Sequence, residues 1–366
     1  MSSISVNTIT DASGGSTTSI NGFTPSVSNM AGRNRIINGD MRIDQRNAGA
    51  SVTPSTVTTY TLDRWAYVAD AASKASVQQS STAPAGFKNS ILVTSLSAYT
   101  PASGEEFRLN QHIEGLNVAD FGWGTSDAKT VTLSFWVRSS LTGSFSVYLA
   151  NSAYNRIYIS AYTINSADTW EYKTVTVPGS TDSTWLTDNG KGIALGFELA
   201  AGAVYYGTNN TWNTSGAVRC TSSQTNLVAT SGATFYITGV QLEEGSVATP
   251  FEHRQYGQEL ALCQRYYQQI GGFTTWSGSQ TTNVGGNLTY SMRAAPTLGQ
   301  TGTITITEYS VNDWAQSSIG ISIAGGGTRA TNNAVQFALS NYSGLNAYRM
   351  QVSIVNTGAI TLSAEL

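Results

Sequence analysis

Between residues 130 and 242 the chain repeats apolar and polar residues at a period of two. In TVTLSFWVR (130–138), Val131, Leu133, Phe135 and Val137 fall on one face. SFSVYLA continues with Phe145, Val147 and Leu149, and NRIYISAYT with Ile157, Ile159 and Ala161. WEYKTVTVP, KGIALGFEL and ATFYITGVQL follow, with Gly, Ser, Asn and Asp between them. Such segments, divided by turn clusters and free of any long helical pattern, predict antiparallel sheets packed face to face. Residues 36–250 therefore read as one antiparallel β-sandwich, most simply closed as a jelly roll.

The pattern changes on either side. In HRQYGQELALCQRYYQQI (253–270), Tyr256, Leu260, Cys263, Tyr267 and Ile270 are spaced 4, 3, 4 and 3, a two-heptad stripe. It predicts a short linking helix within 251–272, ended by Gly271-Gly272. A helical junction between chains and an amphipathic helix on a domain surface, which also accounts for Leu262 and Tyr266, fit it equally. Residues 273–366 return to strand signals (NLTYSM, GTITITEY, SIGISIA, AVQFALS, AYRMQVSIV), enough for five or six strands of a second small β domain. Residues 1–35 are almost free of charge and too poor in large apolar groups to fold alone. With Ile4, Val6, Ile9, Ile20 and Phe23 as sticky points, they read as an extended arm that orders against a partner.

Composition narrows the function. Only 11% of the 366 residues are charged, while 45 serines, 47 threonines and 36 glycines suit strands joined by small-residue turns. So little charge on so many strands points to an oligomer that covers its edges. A net charge of −3 leaves no basic field for a phosphate backbone, so nucleic acid is not an expected partner. No apolar run reaches the roughly 18 residues of a membrane span. The opening residues lack the basic and apolar regions of a secretory signal, so synthesis in a reducing cytosol is expected. Cys220 and Cys263 make no disulfide framework and are expected as buried thiols. His112 and His253 lie far apart, outside any zinc-ligand spacing.

Several strings resemble a known family. RNRIINGDMRIDQRN (33–47), followed by YTLDRW (60–65), resembles the opening of the sandwich module in many bacteriophage tail-fibre proteins, which read N-x-I-I-N-G-x-M-x-x-x-Q-R and then Y-x-x-D-R-W. ITGVQLEEGSVATPFEHRQYGQELALCQRYY (237–267) resembles the other end of that module: G-V-Q-L-E-x-G, A-T-P-F-E, and a helix ending C-Q-R-Y-Y. SMRAAPTL (291–298) and TLSAEL (361–366) resemble the closing β domain of the same proteins. The resemblance implies a carbohydrate-binding-like jelly roll in a virion appendage, usually a homotrimer. Its arm would dock on another tail or virion protein, and its body, or a distal C-terminal domain, would touch host-surface polysaccharide. This chain departs from the family in having no long shaft, so it would be a short fibre or a decoration. A connector, fibre adaptor or capsid decoration without a glycan site is the alternative reading, and a polysaccharide depolymerase the last.

Candidate residues follow from the chemistry of sugars, whose rings offer apolar C–H faces to aromatic side chains and hydroxyls to amides and carboxylates. Trp123 stands between glycines in FGWGTSD. Tyr205, Tyr206, Asn209, Asn210 and Trp212 share the polar stretch VYYGTNNTWNTSG, the preferred candidate. Trp276 and Trp314 fall in apparent loops of the C-terminal domain. Asn38, Asp40 and Asp44, with Glu243, could offer oxygen ligands to a structural calcium; otherwise no cofactor is indicated. Arg33, Arg35, Arg42 and Arg46 read as a solvated or protein-docking face. Trp65 reads as core, with Asp63 and Arg64 as a charge pair. Catalysis is not expected: the adjacent acids Glu105-Glu106 and Glu243-Glu244 would point to opposite faces of a strand, and neither a nucleophile elbow nor a β-helix repeat is present.

Overall fold

In the computed structural model, residues 32–269, 291–299 and 361–366 are described in full, and between them the backbone of the strands alone. The chain divides into two units between Arg254 and Gln255. The arm candidates Ile4, Val6, Ile9, Ile20 and Phe23 lie outside the described residues. Among the described residues, no helix is long and apolar enough to cross a membrane.

The first unit contains twelve strands: β1 (Thr59–Leu62), β2 (Trp65–Ala69), β3 (Ala75–Ser80), β4 (Ser90–Ser95), β5 (Glu106–Glu114), β6 (Val131–Ser139), β7 (Gly143–Ala150), β8 (Ile157–Ile164), β9 (Glu171–Val177), β10 (Lys191–Ala201), β11 (Thr211–Asn213) and β12 (Thr234–Glu244). They form a seven-stranded sheet in the order β1-β2-β5-β10-β7-β8-β11 and a five-stranded sheet in the order β3-β4-β12-β6-β9. Every neighbouring pair is antiparallel. The alternation of β6 is realised as read: Val131, Leu133, Phe135 and Val137 are all completely buried. Phe135 reaches across the sandwich, with Tyr162 and Phe197 each edge-on to it at 5.0 Å. Trp65 is also completely buried.

Strand β8 corrects the reading. Tyr158, Tyr162 and Ile164 join the main core, whereas Ile157 and Ile159 form a separate cluster with Tyr148, Ala150, Ala194 and Val218. Val218, in the stretch after the edge strand β11, covers that part of the seven-stranded sheet. Where both faces of a strand are buried, alternation cannot tell the main core from the second one.

The strings that carry the family resemblance meet at one clasp. Asn34 Oδ1 accepts hydrogen bonds from the Ile36 and Leu242 backbone (2.9 and 3.1 Å), and its amide donates to Val240 O (3.1 Å). The two Glu252 oxygens accept from the backbone N–H groups of Gly32 and Asn34, each at 2.7 Å. Arg254 donates to Ile36 O at 3.0 Å. The Asn38 amide donates to Ile43 O and Asp63 O (2.8 and 3.0 Å), and the Trp65 indole donates to Asn38 O (3.0 Å). Gly39 runs so close to β12 that a Cβ there would sit 2.2 Å from Val240 O. The first described residues are thus laced to the last strand of the sandwich and to the segment after it.

The second unit begins with helix α1 (Tyr256–Gln264) and continues as β13 (Tyr267–Ile270), β14 (Gly272–Trp276), β15 (Thr282–Asn287), β16 (Thr297–Thr301), β17 (Thr305–Glu308), β18 (Asp313–Ala315), β19 (Gly320–Ile323), β20 (Ala334–Ser340), β21 (Met350–Ile354) and β22 (Ala359–Ser363). Three sheets result: β13-β22-β16, β14-β21-β17-β18 and β15-β20-β19. The helix is shorter than its stripe. Tyr256 is 56% exposed and Cys263 fully buried, but Tyr267 and Ile270 belong to β13, which pairs with the C-terminal strand from Tyr267↔Ser363 to Ile270↔Ile360. Aromatic and β-branched residues after Arg265 gain more from that ladder than from another helical turn. The two-heptad stripe therefore does not exist as a helical face, and the junction between chains loses its support. Tyr266, Met292 and Leu362, one from each remaining family string, are all completely buried, and Arg293 donates to Ala364 O at 3.0 Å.

Candidate functional site

The outer face of the five-stranded sheet carries an aromatic groove. Trp136 on β6 lies directly opposite Tyr172 on β9, with ring centroids 5.3 Å apart. Trp136 is half-buried and Tyr172 43% exposed. The other wall is Phe87, Phe251 and His253, whose rings meet at 5.1 Å (Phe87–Phe251), 4.9 Å (Phe251–His253) and 5.5 Å (Phe87–His253). Ser134 and Thr249 lie in its floor, the Thr249 hydroxyl bonded to Glu243 at 2.6 Å, and the groove has a volume of about 600 Å³. None of its lining residues carries a formal charge with histidine neutral.

The local chain explains why the groove is open. Strict alternation buries Phe135 and Val137 and so turns Trp136 outward between them. The register of β12 against β6 shifts between Thr238 and Gln241, and within that shift Gly239 has φ +61°. A Cβ at 239 would come within 2.6 Å of the Phe87 ring and 3.2 Å of the Trp136 ring. A bulge with a left-handed glycine thus lowers the floor between the two walls. Flat apolar rings with a few hydroxyls and an exposed imidazole can stack on the C–H face of a sugar and bond its hydroxyls.

The residues chosen from sequence lie elsewhere. In the preferred stretch Tyr206, Asn209 and Asn210 are exposed and Tyr205 and Trp212 half-buried, and each makes a hydrogen bond to a neighbouring segment. Tyr205 donates to Gly104 O (3.1 Å) and Tyr206 to Ala201 O (3.4 Å). Asn209 accepts from the Ala161 backbone N–H (2.8 Å), and Asn210, at φ +52°, accepts from Ser160 Oγ (2.9 Å). Trp212 is on β11, donates to Pro178 O at 3.1 Å, and packs edge-on against Trp123 and Trp185 at 5.5 and 5.6 Å. Trp123 is 6% exposed and donates to Lys129 O at 2.8 Å. These tryptophans close the end of the core: Trp123 is buried there, which corrects the expectation for it, and Trp212 is half-buried against it. Trp276 and Trp314 are on strands β14 and β18, not in loops, and their side chains lie outside the described residues.

The four calcium candidates are also spoken for. Asn38 belongs to the clasp, Asp40 pairs with Arg42, and Asp44 accepts from the Asn47 and Gly49 backbone (2.9 and 2.7 Å). Glu243, 2% exposed, accepts from Gln241 Nε2, Thr249 N and Thr249 Oγ1 at 2.8, 2.8 and 2.6 Å. Among the described residues, no group of three or more His, Cys, Asp or Glu is arranged to hold a metal ion.

Sequence reading also missed a charged patch under residues 202–225. Glu106 pairs with Arg108 and, at 3.8 Å, with Arg219. The Arg219 guanidinium lies 4.4 Å from the Tyr154 ring centre and 5.4 Å from that of Tyr148, and Lys191 Nζ 4.1 Å from Tyr154. Beside them Glu198 is completely buried. Burial pushes its carboxyl up to about 8, against the pull of Arg108 and Arg219. Arg108 and Arg219 are buried too, while Asp70, at the rim of the patch, is exposed and accepts from the Glu106 backbone N–H at 2.8 Å.

No protein-family model matches the sequence, and no curated protein matches it. Among solved structures the chain is similar to the enzymatically active domain of tailspike protein 4 of bacteriophage CBA120, with 12% identity and TM-score 0.30. That match covers 58% of this chain and 21% of the other, about a fifth of its length. It is similar also to a family 11 carbohydrate-binding module of Clostridium thermocellum solved with a mixed-linked tetrasaccharide (12% identity, TM-score 0.29, 54% of this chain and 98% of that one). A third likeness is to a xylan-binding domain from Paenibacillus barcinonensis (12% identity, TM-score 0.25, 55% and 99%).

Proposed function

We propose that the chain is a glycan-binding appendage of a bacteriophage virion, working without chemistry, and that the sugar sits in the groove between Trp136–Tyr172 and Phe87–Phe251–His253. The observation that carries the reading is that groove: aromatic rings left open to solvent on a well-packed sheet, over a floor kept empty by Gly239. A large aromatic surface left uncovered on a sandwich marks a binding site. The assignment to a virion rests on the strings resembling tail-fibre modules; in this reading residues 1–35 dock on a neighbouring virion protein and the body assembles as a homotrimer. Affinity per groove is modest and is raised by presenting several at once.

The test is adsorption of the labelled protein to host cells beside its Trp136→Ala variant. Loss of at least tenfold in the variant, with an unchanged melting temperature, is expected. Equal adsorption would remove the groove from the reading. Light scattering tests the assembly, with a mass three times that of the 38.8 kDa chain expected.

A further inference from the structure

The aromatic surface does not stop at the groove. Along β6, Ser134, Trp136 and Arg138 are successive outward positions. Opposite Arg138 on β12 stands Tyr236, with the guanidinium 5.1 Å from its ring centre. Trp170, one residue before β9, closes on Tyr236 with ring centroids 6.1 Å apart. Arg138 is held in this position by Asp168, donating from Nε to its backbone oxygen (2.9 Å) and from Nη2 to its carboxylate (3.1 Å). Two aromatic pairs therefore follow one another along the strand, two residues or about 7 Å apart, on the same face. The cation between them is matched by its own carboxylate, which leaves its outward edge as a hydrogen-bond donor without adding net charge.

We infer that this face binds a linear, uncharged oligosaccharide of at least two units running along β6, one ring in the groove between Trp136–Tyr172 and Phe87–Phe251–His253 and the next on Trp170–Tyr236. The inference rests on the glycan reading of the groove and adds to it the length and charge class of the ligand. A single terminal sugar would use only the groove, and Trp170, Tyr236 and the fixed Arg138 would be superfluous to it. An acidic chain would meet the Arg138 guanidinium already neutralised by Asp168.

Calorimetric titration of the full chain with linear neutral gluco-, galacto- and manno-oligosaccharides of one to six units tests this, alongside an acidic series of alternating uronic acid. Affinity is expected to rise at least tenfold between one and three units of a neutral series and then level off. Trp170→Ala should remove that gain while leaving binding of the shortest members unchanged. Trp136→Ala should abolish binding at every length. Affinity independent of length, a Trp170→Ala variant as good as the parent, or tighter binding of the acidic series would overturn the inference and leave the groove intact. If none of the compounds binds, the glycan reading falls as well.

Discussion

Glu198 shows how one residue can set the response of the whole sandwich to pH. An ordinary glutamate in the unfolded chain gives up its proton near 4.5, whereas the buried one holds it up to about 8. Between those values the folded state binds more protons than the unfolded state, so this residue makes stability fall as pH rises from about 4.5 to about 8. Glu198→Gln removes the titration. Its melting temperature should decline less than that of the parent across that window and exceed it at pH 8, as scanning calorimetry would show. A parent with no decline over the window would mean that the carboxyl is ionised in the fold.

At the scale of elements, the groove depends on the bulge in β12 as much as on its tryptophan. Gly239 sits at φ +61°, where an L side chain costs about 1–2 kcal/mol, and its missing Cβ leaves space beside Phe87 and Trp136. Gly239→Ala should destabilise the fold by that order in a denaturant titration and weaken glycan binding more than it weakens folding. Binding unchanged in a folded variant would show that the floor is not used. Elements also mark where patterns in sequence give way. Alternation in β6 survives folding, with Val131, Leu133, Phe135 and Val137 inward, whereas in β12 it changes phase at the bulge, from Phe235 and Ile237 to Val240 and Leu242. The stripe after His253 does not survive, because residues 267–270 gain a ladder with the C-terminal strand that no local spacing announces.

For the whole molecule, the family strings locate the closure of the fold rather than its ligand. Asn34, Gly39, Trp65, Val240, Glu252 and Arg254 come from distant strings and meet in one network. Glu252→Gln should weaken the bonds to the Gly32 and Asn34 backbone, cost about 1–3 kcal/mol, and raise amide exchange at those residues before it does in β6. Uniform exchange would mean that the clasp is not a separate unit of stability.

Much of this was legible along the chain. Period two told which residues of β6 enter the core, since a strand has two faces and one of them must exclude water, but in β7 and β10 Tyr148, Ala150 and Ala194 are buried on the second face as well. The same rule held a clue to the site, because Trp136 and Tyr172 are large aromatics in the polar phase of their strands. What the chain could not disclose is which outward residues become neighbours. Phe87, Trp136, Tyr172 and Phe251 share one groove only because β6 pairs with β9 and β12. Trp212 sits in the edge strand β11 with its ring against the end of the main core, and local sequence does not show that the sheet has a second buried face under Val218. Alternation is a local constraint set by the pleat, whereas the site is set by long-range pairing, and only the tertiary structure decides that.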